Sequence, residues 1–94
     1  MNLEINKELV LSTAHIPGRE GLALRDLVAA GTIDDLRDGW RVWTGYTDET
    51  VLRPISKVPT VQKLLFLALG AGCKWLVLDQ DGPDYPDELE VFDW

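Results

Sequence analysis

Short apolar runs alternate with helical apolar stripes along this chain, and their order predicts an α/β fold. Residues 9–11, with Thr13 and Ile16 beyond them, predict a first strand covered on both faces. Residues 40–47 alternate in the way of a strand with two different faces. Residues 74–79, KWLVLD, form another continuous apolar run and predict a third strand.

Two segments carry the spacing of amphipathic helices. In residues 18–31, three apolar side chains share one face and the polar ones lie largely elsewhere; the apolar set is Leu24, Leu27 and Val28, and the polar set is Arg19, Glu20, Arg25 and Asp26. Residues 59–72 predict a second, buried helix, whose stripe is Val61, Leu64, Leu65, Ala68 and Leu69. Glycines follow both stripes and are expected to end the helices.

Two shorter segments complete the prediction. Residues 33–38, IDDLRD, read as a short helix that Thr32 caps with Asp35 as its capping-box partner, and Gly39 would close it. Residues 89–94, LEVFDW, alternate and could pair back as an edge strand. We therefore expect a small α/β sandwich with three to four strands, two main helices and a mixed sheet.

Length and composition set further limits. A chain of 94 residues predicts one domain spanning residues 1–94, and 46% apolar residues suffice for a packed core. The single cysteine, Cys73, rules out an internal disulfide and fits a reducing compartment. The most apolar stretch, residues 64–72, is too short to span a bilayer, so we expect a cytoplasmic protein with no membrane partner.

The net charge of −7 is concentrated at one end of the chain. Residues 1–78 contain nine acidic and nine basic side chains, which cancel. Residues 79–94, called the acidic segment below, contain seven acids and no base; the acids are Asp79, Asp81, Asp84, Asp87, Glu88, Glu90 and Asp93. Phosphates would be repelled there, so the segment argues against direct nucleic-acid binding and favours a basic partner or a cation.

Three motifs resemble an uncharacterised family of short bacterial proteins, a domain family of unknown function common on plasmids and genomic islands. The motifs are LSTAHI at residues 11–16, GCKWLVLDQDGP at 72–83 and the acidic-Trp ending VFDW. Residues 18–36 do not match the family pattern, and the ending lacks the Pro and Tyr expected before DW. The resemblance implies no activity, but it implies a role for a mobile element, such as inhibiting a host defence.

The first candidate site would bind a metal or act in acid–base catalysis. If the first and third strands are parallel, Ser12, Thr13 and His15 should lie near Asp79 and Asp81 at the sheet edge where α/β proteins bind ligands. A histidine beside two carboxylates could bind a metal or act as a general base. This predicts, as an alternative function, a metal-dependent hydrolase.

The same carboxylates have a structural interpretation, which we favour. Asp79 and Asp81 would end the strand and bond local amides in the DQDGP turn, and His15 would cap the first strand. The D-x-D-G pattern also resembles the nucleophile motif of haloacid-dehalogenase-type phosphatases, but Pro83 stands where those need Thr. A calcium loop fits poorly, because its first ligand position would be Val77.

The aromatic residues predict anchors for a partner. Trp40 and Trp43 have opposite parity in one strand, so one of them faces outward unless both sheet faces are covered. Trp43, Tyr46 and Tyr85 are the candidate partner contacts, whereas Trp75 is expected in the core.

These observations favour a non-catalytic binding protein without a cofactor. The expected binding surface comprises Asp84, Asp87, Glu88, Glu90 and Asp93 with the three aromatic candidates. It would occlude a basic surface that a host protein uses for nucleic acid. Besides the hydrolase, a structural homo-oligomer, such as a homodimer paired through residues 89–94, stays open.

Overall fold

The structure, a computed structural model, describes residues 3–29, 33–45 and 55–92. Its elements in chain order are β1 (Glu8–Ser12), a 3-10 helix (Thr13–His15), α1 (Gly18–Ala29), β2 (Asp34–Leu36), β3 (Gly39–Trp43), α2 (Pro59–Gly70) and β4 (Trp75–Asp79). The described residues form one mixed four-stranded sheet with these two main helices, so the predicted α/β class is confirmed.

The strands lie in the order β1-β4-β3-β2. β1 and β4 are parallel, with Ser12 opposite Asp79, so both strands end at the same edge of the sheet. β3 runs antiparallel to β4 and to β2. The chain passes from β1 to β2 through α1, and these two strands lie at opposite edges of the sheet. The later strands, β3 and β4, lie between them. The parallel pairing expected between the first and third predicted strands is confirmed.

One face of the sheet forms the core with both helices. Its members are Leu11, Trp40, Val42, Leu76 and Leu78 from the strands, Leu24 and Leu27 from α1, and Val61, Leu64, Leu65 and Ala68 from α2. The prediction of core residues holds for most of each stripe, but Leu69 is 53% exposed and was wrongly placed in it. Burial of such side chains contributes about 1.5 to 3 kcal/mol each.

The opposite face of the sheet carries aromatic and charged side chains. Trp75 lies there half-buried, with the Arg41 guanidinium 4.3 Å from its ring centroid. Arg41 also bonds Asp34 on the neighbouring strand at 2.9 Å. The prediction that Trp75 belongs to the core is therefore wrong. The register decides this, because Trp75 alternates with the core-facing Leu76.

Residues 33–38 do not form the predicted helix. Residues 34–36 instead form β2, which pairs with β3 through Leu36 opposite Gly39. The Arg41–Asp34 ion pair joins the same two strands. Gly39 therefore begins a strand and does not close a helix, and the proposed cap Thr32 lies outside the described residues. Strand pairing outweighed a weak local helix signal, since six residues are too few for a helix that is stable on its own.

Residues 89–92 are not a strand either. They follow a turn in which the Leu89 amide donates to the Tyr85 carbonyl at 2.8 Å, and they cross the end of β1. The prediction of an edge strand is wrong for these residues, and residues 93 and 94 lie outside the described part of the chain.

The end of α2 follows the predicted glycine pattern. Gly72 has a positive φ of 78°, a region that favours glycine. The Gly72 amide donates to the Leu69 carbonyl, and the Cys73 amide donates to the Ala68 carbonyl at 2.9 Å. These two bonds form a Schellman motif, which satisfies carbonyls at the helix end.

The start of α2 is held by a residue that sequence reasoning placed on the surface. Glu20 of α1 is only 3% exposed, and its Oε1 accepts hydrogen bonds from the backbone amides of Thr60 (2.9 Å) and Val61 (3.0 Å). Val58, at the N-cap of α2, supplies no side-chain cap. The carboxylate thus caps the helix from another element, and its charge complements the helix dipole.

Candidate functional site

His15 lies at the carboxyl edge of β1 and β4 and holds the acidic segment in place. The Ser12 side chain accepts from the Ala14 amide at 3.1 Å, which folds the chain after β1 into the 3-10 turn. This turn buries His15, which is 1% exposed. Its Nε2 accepts from the Tyr85 amide, and its Nδ1 contacts the Glu90 carbonyl, both at 2.9 Å.

These partners fix the tautomer of the ring. A backbone amide can only donate, so Nε2 must be the unprotonated acceptor. A carbonyl can only accept, so Nδ1 carries the proton and donates to Glu90. Both nitrogens of the neutral His15 ring are therefore occupied by the backbone of the acidic segment. The Tyr85 ring lies nearly parallel to the imidazole, at 17° with centroids 6.5 Å apart.

Two more backbone hydrogen bonds attach residues 83–92 of the acidic segment to the domain. The Ser12 amide donates to the Pro83 carbonyl at 2.8 Å, and the Phe92 amide donates to the Ala14 carbonyl at 2.7 Å. Leu89 packs against the core between them. Residues 83–92 of the acidic segment are thus attached to the domain at both of their ends.

Gly82 lets the segment cross closely over β1. A Cβ atom at this position would lie 2.9 Å from the Leu11 carbonyl oxygen and 3.1 Å from the Asp79 carbonyl oxygen. Both neighbours are backbone atoms, which move only with their strands. The absence of a side chain is therefore required for the approach.

We predict that Gly82→Ala lowers the free energy of unfolding by about 1 to 3 kcal/mol, because the added methyl group displaces backbone. Gly70→Ala is the matched control, since a Cβ there meets no atom within 4 Å. In a helix, that control should be neutral or stabilising by up to about 1 kcal/mol. Urea unfolding of both variants measures the difference, and equal stabilities would contradict the close-approach account.

Asp79 and Asp81 form the local turn expected from the structural interpretation. The Asp79 Oδ1 accepts from the Asp81 amide at 2.9 Å. Asp79 is half-buried at the end of β4, and Asp81 is exposed. The Gly82 amide continues the turn by donating to the Asp79 carbonyl at 2.9 Å. This part of the structural interpretation is confirmed.

The structure does not assemble the predicted metal site. Parallel pairing brings Ser12 beside Asp79, as expected, but His15 turns toward Tyr85 and Glu90. Within residues 3–29, 33–45 and 55–92, no three His, Cys, Asp or Glu side chains are arranged to hold a metal ion. Among the described residues, the arrangement at this edge positions the acidic segment and does not bring His15, Asp79 and Asp81 together as metal ligands.

Five acids of the acidic segment are exposed and form no ion pair with the described residues. They are Asp81, Asp84, Asp87, Glu88 and Glu90. None of them forms an ion pair with a Lys or Arg in the described ranges; the pairs found there are Arg41–Asp34 at 2.9 Å and Lys74–Glu4 at 3.6 Å. Asp93 lies outside those ranges. The described acids of the segment are thus not neutralised by ion pairs with the part of the domain that the structure describes.

The aromatic candidates are divided between two places. Tyr85 is 43% exposed and belongs to the acidic segment. Trp43 is 41% exposed and Trp40 is 9% exposed, as their opposite parity predicted. Trp43 pairs with Trp75 at the far end of β4 from Asp79, about 13 Å along the strand. Tyr46 lies outside the described residues. Tyr85 is therefore the described aromatic that accompanies the acids.

Sequence reasoning missed a cavity at the same edge. It has a volume of about 690 Å³ and lies between the 3-10 turn, α1, the β2–β3 turn and Phe92. Arg25 and Arg37 line it, together with Asp35 and Asp38. The Asp38-Gly39 pair is a common hairpin signal that could have indicated a turn here, although the turn residues in the structure are Arg37 and Asp38.

Comparisons with known proteins place the chain in a family without assigning a function. The model described as "Family of unknown function (DUF5983) C-terminal domain" matches residues 8–94. No curated protein sequence and no solved structure matches the chain. In the described ranges, no helix has the length and apolar character needed to cross a membrane. The expected membership of an uncharacterised family is confirmed.

Proposed function

We propose that this chain, which belongs to the family of unknown function DUF5983, is a small non-catalytic binding protein. Its acidic segment would cover a basic surface on another protein. One observation carries the proposal: residues 83–92 of the acidic segment are fixed to the domain by four hydrogen bonds, yet the exposed acids of the segment are unpaired among the described residues.

Fixed attachment distinguishes this segment from a solubilising tail. A flexible tail loses backbone conformational entropy when it binds, at a cost of about 1 to 2 kcal/mol for each residue that becomes fixed. The backbone of residues 83–92 is already held by Ser12, Ala14 and His15. Pre-organisation of this kind favours binding without adding contacts.

Charge determines the class of partner. Exposed carboxylates repel the phosphates of nucleic acids and attract clusters of Lys and Arg. A protein surface that binds nucleic acid presents such a cluster. The acidic segment would steer toward that surface and occlude it, with Tyr85 as an aromatic contact at 43% exposure.

The proposal includes a cytoplasmic location and a role for a mobile element. Cys73 is free and half-buried against the core, which supports a reducing compartment. The resemblance of the motifs to proteins common on plasmids and genomic islands supports the second point. Occluding a host nucleic-acid-binding protein is one way in which such an element could counter a defence.

A charge-reversal experiment tests the proposal. We expect Asp87→Lys with Glu88→Lys to abolish capture of a basic protein from a lysate of the native host, because it replaces two attractive charges by two repulsive ones. The matched control is Glu8→Lys with Asp26→Lys, which changes the net charge equally at exposed positions outside the segment. Capture is measured at low and at high salt for all three proteins.

The expected pattern is selective. Wild type and control should retain the same basic protein at low salt and release it at high salt. Equal capture by the segment variant would show that overall charge, and not the acidic segment, is responsible. Capture of nothing basic by the wild type would also contradict the proposal.

A further inference from the structure

The cavity at the carboxyl edge of the sheet is a second feature that needs a function. Its volume of about 690 Å³ lies within the range of about 300 to 1,000 Å³ typical of small-molecule sites. It opens beside the ends of β1 and β4, where Ser12 and Gln80 line it. This is the edge at which open α/β sheets bind ligands.

Two arginines from different elements line this cavity. Arg25 comes from α1 and Arg37 from the β2–β3 turn. Neither forms an ion pair with a side chain in the described ranges, whereas Arg41 is paired with Asp34 at 2.9 Å. In a protein of net charge −7, two free arginines at one concave surface favour an oxyanion. The guanidinium fork matches carboxylates and phosphates.

The remaining lining narrows the class of ligand. Trp40 and Phe92 provide an apolar wall suited to a planar ring. Asp35 and Asp38 add two carboxylates, which oppose a polyanion and can accept hydrogen bonds from ring N–H groups. A ligand with one anionic group and a nitrogen heterocycle satisfies all of these groups together.

We propose that this cavity binds a small planar heterocycle that carries one carboxylate or phosphate group. Arg25 and Arg37 hold the anionic group, and the ring lies against Trp40 and Phe92 with its N–H groups toward the aspartates. Gln80 and Phe92 of the acidic segment also line the cavity, but the inference does not rest on the protein partner proposed above, because the anionic group is held by two arginines outside that segment.

Titration by two-dimensional amide NMR tests the inference with three probes. Indole-3-acetate represents the carboxylates, adenosine monophosphate represents the phosphates, and adenosine is the uncharged comparison. We expect at least one anionic probe to give saturable shifts at Thr13, Gln80 and Phe92. Binding of only one anionic probe identifies the group that the site prefers. Adenosine should bind about tenfold more weakly than adenosine monophosphate if the phosphate is held by an arginine.

Matched variants assign the binding to the cavity. Arg25→Gln with Arg37→Gln should weaken the anionic probe by about tenfold to a hundredfold, since two charge-assisted bonds are lost. Arg19→Gln with Lys63→Gln removes the same charge from exposed positions outside the cavity and should bind like wild type. Both arginines are exposed, and preserved spectral dispersion confirms that each variant is folded.

Three results would overturn the inference. These are no saturable shifts with either anionic probe, shifts that lie away from the cavity, and unchanged affinity in the Arg25→Gln, Arg37→Gln variant. The Asp87→Lys, Glu88→Lys variant should still bind the probes. Failure of the protein-partner proposal and failure of the cavity proposal are therefore measured separately.

Discussion

His15→Ala is expected to lower the free energy of unfolding by about 2 to 4 kcal/mol and to detach residues 83–92 from the domain. The ring is 1% exposed, so its removal leaves a cavity. It also removes two hydrogen bonds, to the Tyr85 amide and the Glu90 carbonyl, each contributing about 0.5 to 1.5 kcal/mol. The substitution should accelerate amide hydrogen exchange at Tyr85 and Phe92 more than it accelerates exchange at the core residue Leu78.

Two conservative replacements separate the bonds at His15. A Gln side-chain oxygen can reach the position of Nε2 and accept from Tyr85, whereas an Asn amide can replace Nδ1 and donate to Glu90. Each should restore part of the lost stability and protect one end of the segment more than the other. If all three variants match wild type in stability and exchange, His15 does not hold the acidic segment.

Glu20→Ala is expected to cost about 2 to 4 kcal/mol of unfolding free energy. The substitution removes two charge-assisted hydrogen bonds at the start of α2, where Val58 supplies no side-chain cap. The loss of stability is smaller than the sum of two such bonds. Oε2 of the buried carboxylate has no hydrogen-bond partner among the described residues, so its removal also relieves an unfavourable burial. Thermal and urea unfolding measure the cost.

Glu20→Gln provides the sharper comparison. Its Oε1 can still accept from the Thr60 and Val61 amides, but without the charge that complements the helix dipole. We expect the free energy of unfolding of Glu20→Gln to lie between those of wild type and Glu20→Ala. Arg19→Ala, at an exposed position in the same turn, should change stability by less than about 0.5 kcal/mol. A neutral Glu20→Ala would show that α2 does not need this cap.

The sequence predicted those elements whose signal is local. Residues 9–11 and 75–78 are continuous apolar runs, and they form β1 and β4. The stripe around Leu64 and Leu65 predicted α2, and glycines marked its end. Parallel pairing of β1 with β4 followed from the helical connections between strands.

β2 could not be predicted from its own residues. Its sequence is Asp34-Asp35-Leu36, and aspartate is depleted in strands. Pairing with β3 stabilises it, and that pairing depends on residues farther along the chain. The Asp38-Gly39 turn signal competed with a helix-capping pattern beginning at Thr32, and only the folded sheet decides between them.

The polar contacts of the candidate site are invisible to local patterns for a similar reason. His15 and Glu90 are 75 residues apart, and Glu20 and Thr60 are 40 apart. Charge was more informative, because the excess of acids in residues 79–94 predicted an unpaired surface, and the described acids are indeed without ion pairs there. The sequence showed which residues carry the charge, whereas the structure shows which hydrogen bonds attach their backbone to the domain.

The most direct measurement is the association rate constant of the captured basic protein, determined at low and at physiological salt. A docked anionic surface predicts fast, strongly salt-dependent association for wild type and for the Glu8→Lys, Asp26→Lys control. The Asp87→Lys, Glu88→Lys protein should associate at least about tenfold more slowly at low salt, with little salt dependence. One rate and one salt dependence shared by all three proteins would mean that negative charge on this terminal segment does not guide recognition.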